Sequence, residues 1–272
     1  MSLPPSIPKP SRSFIAWGIL ASIAVLLLVA AFLLLPPHSF AGKVDLVGYG
    51  ICHQQAARSF FPGGQKLPLC ARDTGTYLGA IVGTVVILAS KRRRAAGLPA
   101  PGPLVVFVAG FAFFAVDGAN SYAHIIPGLG HLYPPDNRLR LLSGLLCGAG
   151  LSAIVLPLFN YSVWRDAGEG PILGWRGLAL VGGGLAVMFL AVVWGPGWLY
   201  YPLALLETAG VLLVLSTVNG LLAWLLARRE RQAWRWHDTL PLFGVGFLMM
   251  AGELAGMGYL RYVLEAATPL IR

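Results

Sequence analysis

Charge is what this sequence has least of: Asp, Glu, Lys and Arg make up 11% of its 272 residues, where a soluble domain carries about a quarter. That scarcity excludes a soluble enzyme. Cysteine is sparse too, at three residues, which excludes a disulfide-built scaffold. No polar-apolar alternation leads into a glycine-rich turn, so neither a strand nor a phosphate-cradling nucleotide loop is expected. Long polar tracts and internal repeats are missing as well, and abundant Leu, Val and Ile exclude a disordered chain.

What is there is apolar. Hydrophobic residues account for 57% of the chain, and a mean hydropathy of +0.71 is concentrated in long uncharged runs. This pattern predicts an all-α fold, a polytopic transmembrane helical bundle. Seven spans are expected, at 14–35, 74–90, 104–126, 139–161, 178–194, 203–227 and 242–264. The first exceeds the apolar region of a signal peptide, about 7–15 residues. It is therefore read as an uncleaved anchor rather than a leader cut near Ser39-Phe40-Ala41. The resulting order is a mobile, Pro-rich cytoplasmic tail at 1–13, the anchor at 14–35, an extracytoplasmic loop at 36–73, three spans within 74–161 and three more within 162–272.

The formal net charge of +9 points to topology rather than to nucleic acid. Lys91, Arg92, Arg93 and Arg94 end the second span, and Arg228, Arg229, Arg231 and Arg235 end the sixth. Basic loops stay in the cytoplasm, so the N-terminus is expected inside and the C-terminus outside, in the cytoplasmic (inner) membrane. Trp194, Trp198, Tyr200 and Tyr201 then form an outer aromatic belt, and Trp224, Trp234 and Trp236 an inner one.

The loop at 36–73 is too long to be a simple connection. It carries Cys52-His53, then Arg58-Ser59-Phe60, then Pro68-Leu69-Cys70-Ala71-Arg72-Asp73-Thr74-Gly75-Thr76-Tyr77-Leu78-Gly79. A second block follows: Asp117-Gly118, then Asn137, Arg140, Ser143 and Gly144. Together these resemble a family of small polytopic prokaryotic membrane proteins catalogued as a domain of unknown function, whose hallmark is Cys-His, Arg-Ser-Phe and Pro-Leu-Cys-Ala-Arg-Cys-Thr-Gly. The likeness runs from about Val44 to Tyr161, so the three spans within 74–161 form a family-like core. The family's last Cys is Asp73 here. The resemblance implies a site but no reaction.

Several chemistries fit that site. Cys52, His53, Cys70 and Asp73 offer four donors acceptable to zinc, with Cys-x-x-Asp in place of Cys-x-x-Cys. On an oxidising face, a Cys52–Cys70 disulfide fits equally and would contribute about 3 kcal/mol by closing a short loop. Free thiols are the third state. Asp73 also suits a helix N-terminus, where a carboxylate meets free N–H groups, and His53 suits a membrane interface. Loss of the Cys-x-x-Cys pair argues against a thiol oxidoreductase.

The third span carries Asp117, Asn120, Ser121 and His124 at i, i+3, i+4 and i+7, one helical face. Polar groups in lipid must face protein or water, so Asp117 and His124 are candidate catalytic or proton-handling residues. Arg140 is the expected partner of Asp117, with a structural lock between helices as the alternative. Glu207 and Glu253 are further intramembrane carboxylates, expected beside an outward cavity with Asp117 or protonated within the bundle. Arg72 and Arg140, with Arg58 and Arg138, fall where three helices begin, a setting suited to an anionic group. Gly75, Gly79 and Gly83, and Gly252 and Gly256, provide close-packing faces for helices of this chain or a protein partner. Cys147, Met249 and Met250 read as core.

These residues lead to an integral membrane protein with an outer polar pocket under a Cys/His loop, binding an anionic lipid headgroup or lipid-linked substrate. The alternatives are a proton- or metal-ion-coupled transporter using the intramembrane carboxylates, and an accessory subunit of a membrane complex. Zinc is the cofactor to test for, the bilayer lipid the expected surroundings, and nucleic acid is not a partner.

Overall fold

The helix that organises this molecule is the most deeply buried one. In the computed structural model, which describes residues 12–126, 128 and 130–267, α5 (Asn137–Val163) lies against α3 (Ala71–Ala89) in the most extensive helix contact. A Cβ on Gly75 or Gly79 would strike the backbone at Leu141 or Leu145, and one on Gly144 or Gly148 the backbone at Arg72 or Thr76. Glycine on both sides lets the two backbones meet, and dispersion replaces a hydrophobic drive that lipid does not supply.

Around this pair stand α1 (Arg12–Leu34), α4 (Pro101–Ala123), α6 (Trp175–Trp194), α7 (Tyr200–Leu226) and α8 (Leu240–Ala267). Of the best apolar window in α5, 61% is buried, against 22% in α4 and 17% in α6, so α5 is central and the others are peripheral. Their outward faces carry Leu26, Val105, Leu180, Val187 and Leu222, all exposed. Such a continuous apolar exterior belongs in hydrocarbon. Among the described residues, five helices are long and apolar enough to cross a membrane. They are the helices at Pro101–Ala123, Asn137–Val163, Trp175–Trp194, Gly197–Leu226 and Trp236–Ala267. The anchor expected at 14–35 contributes the shorter apolar stretch Leu20–Leu34. The span expected at 74–90 corresponds to α3, which is not among the five.

The expected loop at 36–73 is ordered. It folds into the short helix α2 (Phe40–Tyr49), capped by Ser39, whose hydroxyl accepts from Gly42 N–H, and into two single turns at Ala56–Arg58 and Pro62–Gly64. Lys43 ties α2 to the end of α1 by donating to the carbonyls of Phe32 and Leu35.

Two expectations need correction. Strands do occur: β1 (Ala95–Gly97) pairs in parallel with β2 (Gly168–Pro171), joining the loop after α3 to the loop after α5. Their Ala/Gly/Pro composition carries no hydrophobic alternation that a sequence reading could detect. Gly252 and Gly256 pack against no described helix, since an added Cβ at either would meet nothing within 4 Å. The tail expected at 1–13 lies, over residues 1–11, outside the described residues.

Candidate functional site

Asp117 is fully buried on α4, and the charge that compensates it comes from α3. Arg72, in the first turn of α3, donates through Nε and Nη2 to Oδ2 of Asp117 and through Nη2 to its backbone carbonyl. The same Nη2 reaches Ser121 Oγ at 3.1 Å. Ser143 Oγ donates to Oδ2 at 3.4 Å and Tyr133 OH to Oδ1 at 3.1 Å. Every face of the carboxylate is therefore occupied, as a buried charge requires.

The ion pair expected between Asp117 and Arg140 is thus a correction: Arg72 makes it. Both arginines stand near the carboxylate, but the glycine contact sets α3 so that Arg72 points at α4. Arg140, only 8% exposed, instead donates to Asn137 Oδ1 at 2.8 Å. Asn137 in turn donates to the carbonyl of Ala57, and Arg58 and Arg72 both lie within electrostatic reach of Arg140. Arg138 stacks over Trp194.

The polar stripe of α4 divides its work. Asn120 holds the loop before α5, donating to the carbonyl of Tyr133 at 2.9 Å and accepting from Leu132 N–H at 2.7 Å. His124 does not join the group. The helix ends at Ala123, and His124 is exposed, edge-on to His131. Its backbone is still helical, with its N–H on the carbonyl of Asn120, but its side chain is exposed rather than packed with the rest of the stripe.

A second cluster lies on the other side of α3's first turn. Cys52 and Cys70 are free thiols with sulfurs 2.9 Å apart. Together with an Asp73 carboxylate oxygen their ligand atoms lie within 4.8 Å of one another. Gln54, in the left-handed region at φ 53, turns the chain so that its N–H points at Cys52 Sγ, which also accepts from Cys70 N–H at 3.1 Å. Donation from the Cys52 thiol holds Cys70 below the ordinary thiol range and pushes Cys52 up. The His53 side chain lies outside this donor group and is exposed, so three of the four expected donors converge.

Arg261, which the sequence gave no reason to single out, fixes this loop from α8. It donates to the carbonyls of Cys52, His53 and Tyr49 and packs its guanidinium 4.0 Å from the Tyr49 ring. A cavity of about 500 Å³ opens here, lined by Cys52, His53, Gln55 and Arg261 among others.

Glu207 and Glu253 do not gather around Asp117. Glu207 is fully buried on α7, and neither of its oxygens makes a hydrogen bond of normal geometry. Its polar neighbours are the Thr74 hydroxyl, the Leu69 N–H and Asp73. Glu253 is exposed on α8 and accepts from Asn219 Nδ2 at 2.8 Å. Cys147 and Met250 are buried, as core residues would be, whereas Met249 is exposed. Tyr133 was missed because its role depends on a loop fold; its only sequence signal is an aromatic hydroxyl near the start of α5.

Residues 52–154 match a family model described as "Predicted membrane protein (DUF2085)". The "Uncharacterized protein MJ1492" of Methanocaldococcus jannaschii is 30% identical over 115 residues, which cover 42% of this chain and 67% of that protein. No solved structure matches. The family match holds Cys52, Cys70, Arg72, Asp73, Asp117, Tyr133 and Arg140, while Glu207 and Arg261 come from helices beyond it.

Proposed function

The chain belongs to the DUF2085 family of membrane proteins, and on that premise we propose that it is a multi-pass protein of the cytoplasmic membrane whose outer-face pocket binds the anionic headgroup of a lipid or lipid-linked molecule. Seven helices, α1 and α3 to α8, cross the bilayer in this reading. The basic runs after α3 and α7 stay inside, and the Cys-bearing loop and the Arg72–Asp117 pair share the outer face.

The observation that carries the reading is Arg140. It is buried, it has an amide rather than a carboxylate as its hydrogen-bond partner, and Asp117, the nearby acid, is taken by Arg72. With Arg58 alongside, this cluster of side chains holds more guanidinium groups than Asp117 neutralises. A phosphate or carboxylate would supply the missing charge through bidentate hydrogen bonds, and the N-terminal ends of α3 and α5 add favourable dipoles.

Native mass spectrometry of the detergent-purified protein tests this. Phosphatidylglycerol should be retained in preference to phosphatidylcholine, and Arg140→Gln should remove that preference. Equal retention of both lipids by the native chain would refute the reading.

A second reading, an accessory subunit, is favoured by the open Gly252/Gly256 face of α8. A transporter running protons or metal ions along Asp117, Glu207 and Glu253 has less support, because each of these carboxylates has separate neighbours.

A further inference from the structure

We infer that Cys52, Cys70 and Asp73 bind one zinc-class divalent cation, with a fourth coordination position left to water or a ligand. This inference rests on a different donor set from the anion reading, which rests on Arg140, and does not require it.

The donor set is the first argument. Two thiols and one carboxylate, held by three different backbone positions, converge within 4.8 Å. Soft thiolates with one oxygen donor select zinc over magnesium or calcium. A tetrahedral ion with Zn–S bonds of about 2.3 Å separates two sulfurs by about 3.7 Å. The present 2.9 Å separation therefore opens by less than about 1 Å, a side-chain adjustment.

The surroundings are the second. Backbone N–H groups of Gln54 and Cys70 converge on Cys52 Sγ, and backbone groups of Gln54 and Gln55 are directed at Cys70. Backbone donors around sulfur stabilise thiolate rather than thiol, and thiolate is the ligand form. Gln54 accepts a left-handed backbone conformation to deliver its share.

The third argument is charge. Glu207 is fully buried beside Asp73 with neither oxygen conventionally hydrogen-bonded. The adjacent cation, Arg72, is turned away onto Asp117. Two thiols and the Asp73 carboxylate thus converge where the nearest guanidinium is committed to another acid, with Glu207 as a further neighbour of Asp73, and the cluster wants a counter-charge. A dication supplies it, releasing the thiol protons to solvent as it binds.

Three ligands with a fourth position free is the arrangement of reactive zinc sites, whereas structural sites are closed by four protein donors. His53 does not close this one as it stands: its ring is exposed and lies outside the donor group, within electrostatic reach of Asp73.

The test uses the full chain, purified in detergent under reducing conditions and titrated with Co(II) and Zn(II). One metal per chain is expected by elemental analysis, with thiolate-to-cobalt charge-transfer absorption in the near ultraviolet. The signal should vanish in Cys52→Ser/Cys70→Ser. Asp73→Asn keeps both thiols and should weaken Zn(II) by more than about tenfold. Because the double serine variant can fail through misfolding, intact mass of the native chain after alkylation gives a second readout. Two alkylatable thiols at Cys52 and Cys70, protected by added zinc, support the site. A Cys52–Cys70 disulfide in the unreduced membrane preparation overturns it, as does a reduced chain that binds no cobalt or zinc.

Discussion

Arg72 and Asp117, 45 residues apart in sequence, form a buried ion pair that ties α3 to α4, with the carboxylate completed by Tyr133 and Ser143. Asp117→Asn leaves the guanidinium without its counter-charge. A loss of about 3 kcal/mol is expected, at the low end for a broken buried pair because the Arg72 side chain is 21% exposed. Thermal unfolding in detergent measures it. Adding Arg72→Leu should cost less than the sum of the single changes, and strict additivity would show that the pair is not coupled.

Asn120→Ala removes the clamp on the loop before α5. Amides of Leu132 and Tyr133 should then exchange with deuterium about tenfold faster or more, in line with about 1–3 kcal/mol for orphaned polar groups. Tyr133→Phe removes one hydrogen bond to Asp117 and should leave those amides nearly as protected as in the native chain.

The α3–α5 contact predicts a sharp difference between glycines. Gly79→Ala or Gly148→Ala drives a methyl group into facing backbone and should destabilise by about 1–3 kcal/mol. Gly252→Ala, with nothing within 4 Å, should be neutral or mildly stabilising through helix propensity. Melting temperatures that fall equally in all three variants would contradict the packing described here.

Arg261→Gln frees the carbonyls of Tyr49, Cys52 and His53. Cys52 is 5% exposed in the intact molecule, so its alkylation rate should rise several-fold while that of Cys147, at a distance from the loop, stays unchanged. Mass spectrometry of labelled peptides separates the two cysteines.

Much of the membrane architecture was legible because hydrocarbon imposes a simple rule on length and charge, and that rule leaves long uncharged runs such as the one from Gly177 that became most of α6. The thiol cluster was legible from residue type: Cys52, Cys70 and Asp73 are chemically unusual in so apolar a chain. Direction was not. Depth along a helix axis places Arg72 and Arg140 alike, and only the rotation of α3, set by Gly75 and Gly79 against Leu141 and Leu145, decides which guanidinium reaches Asp117. Arg261 stayed hidden because backbone carbonyls, its partners, carry no sequence signature. The ten-residue α2 was hidden by its own modest apolar content, within a loop read for its cysteines.

Arg72 and Asp73 are consecutive, about 100° apart around the helix axis, and they look into different chambers: one toward α4, the other toward the two sulfurs. Helix α3 is therefore a shared wall. Pinned by glycine against α5, it cannot swivel to favour one chamber without dragging the furniture of the other. A substitution that shifts this one turn of backbone would therefore disturb the ion pair and the thiol cluster together.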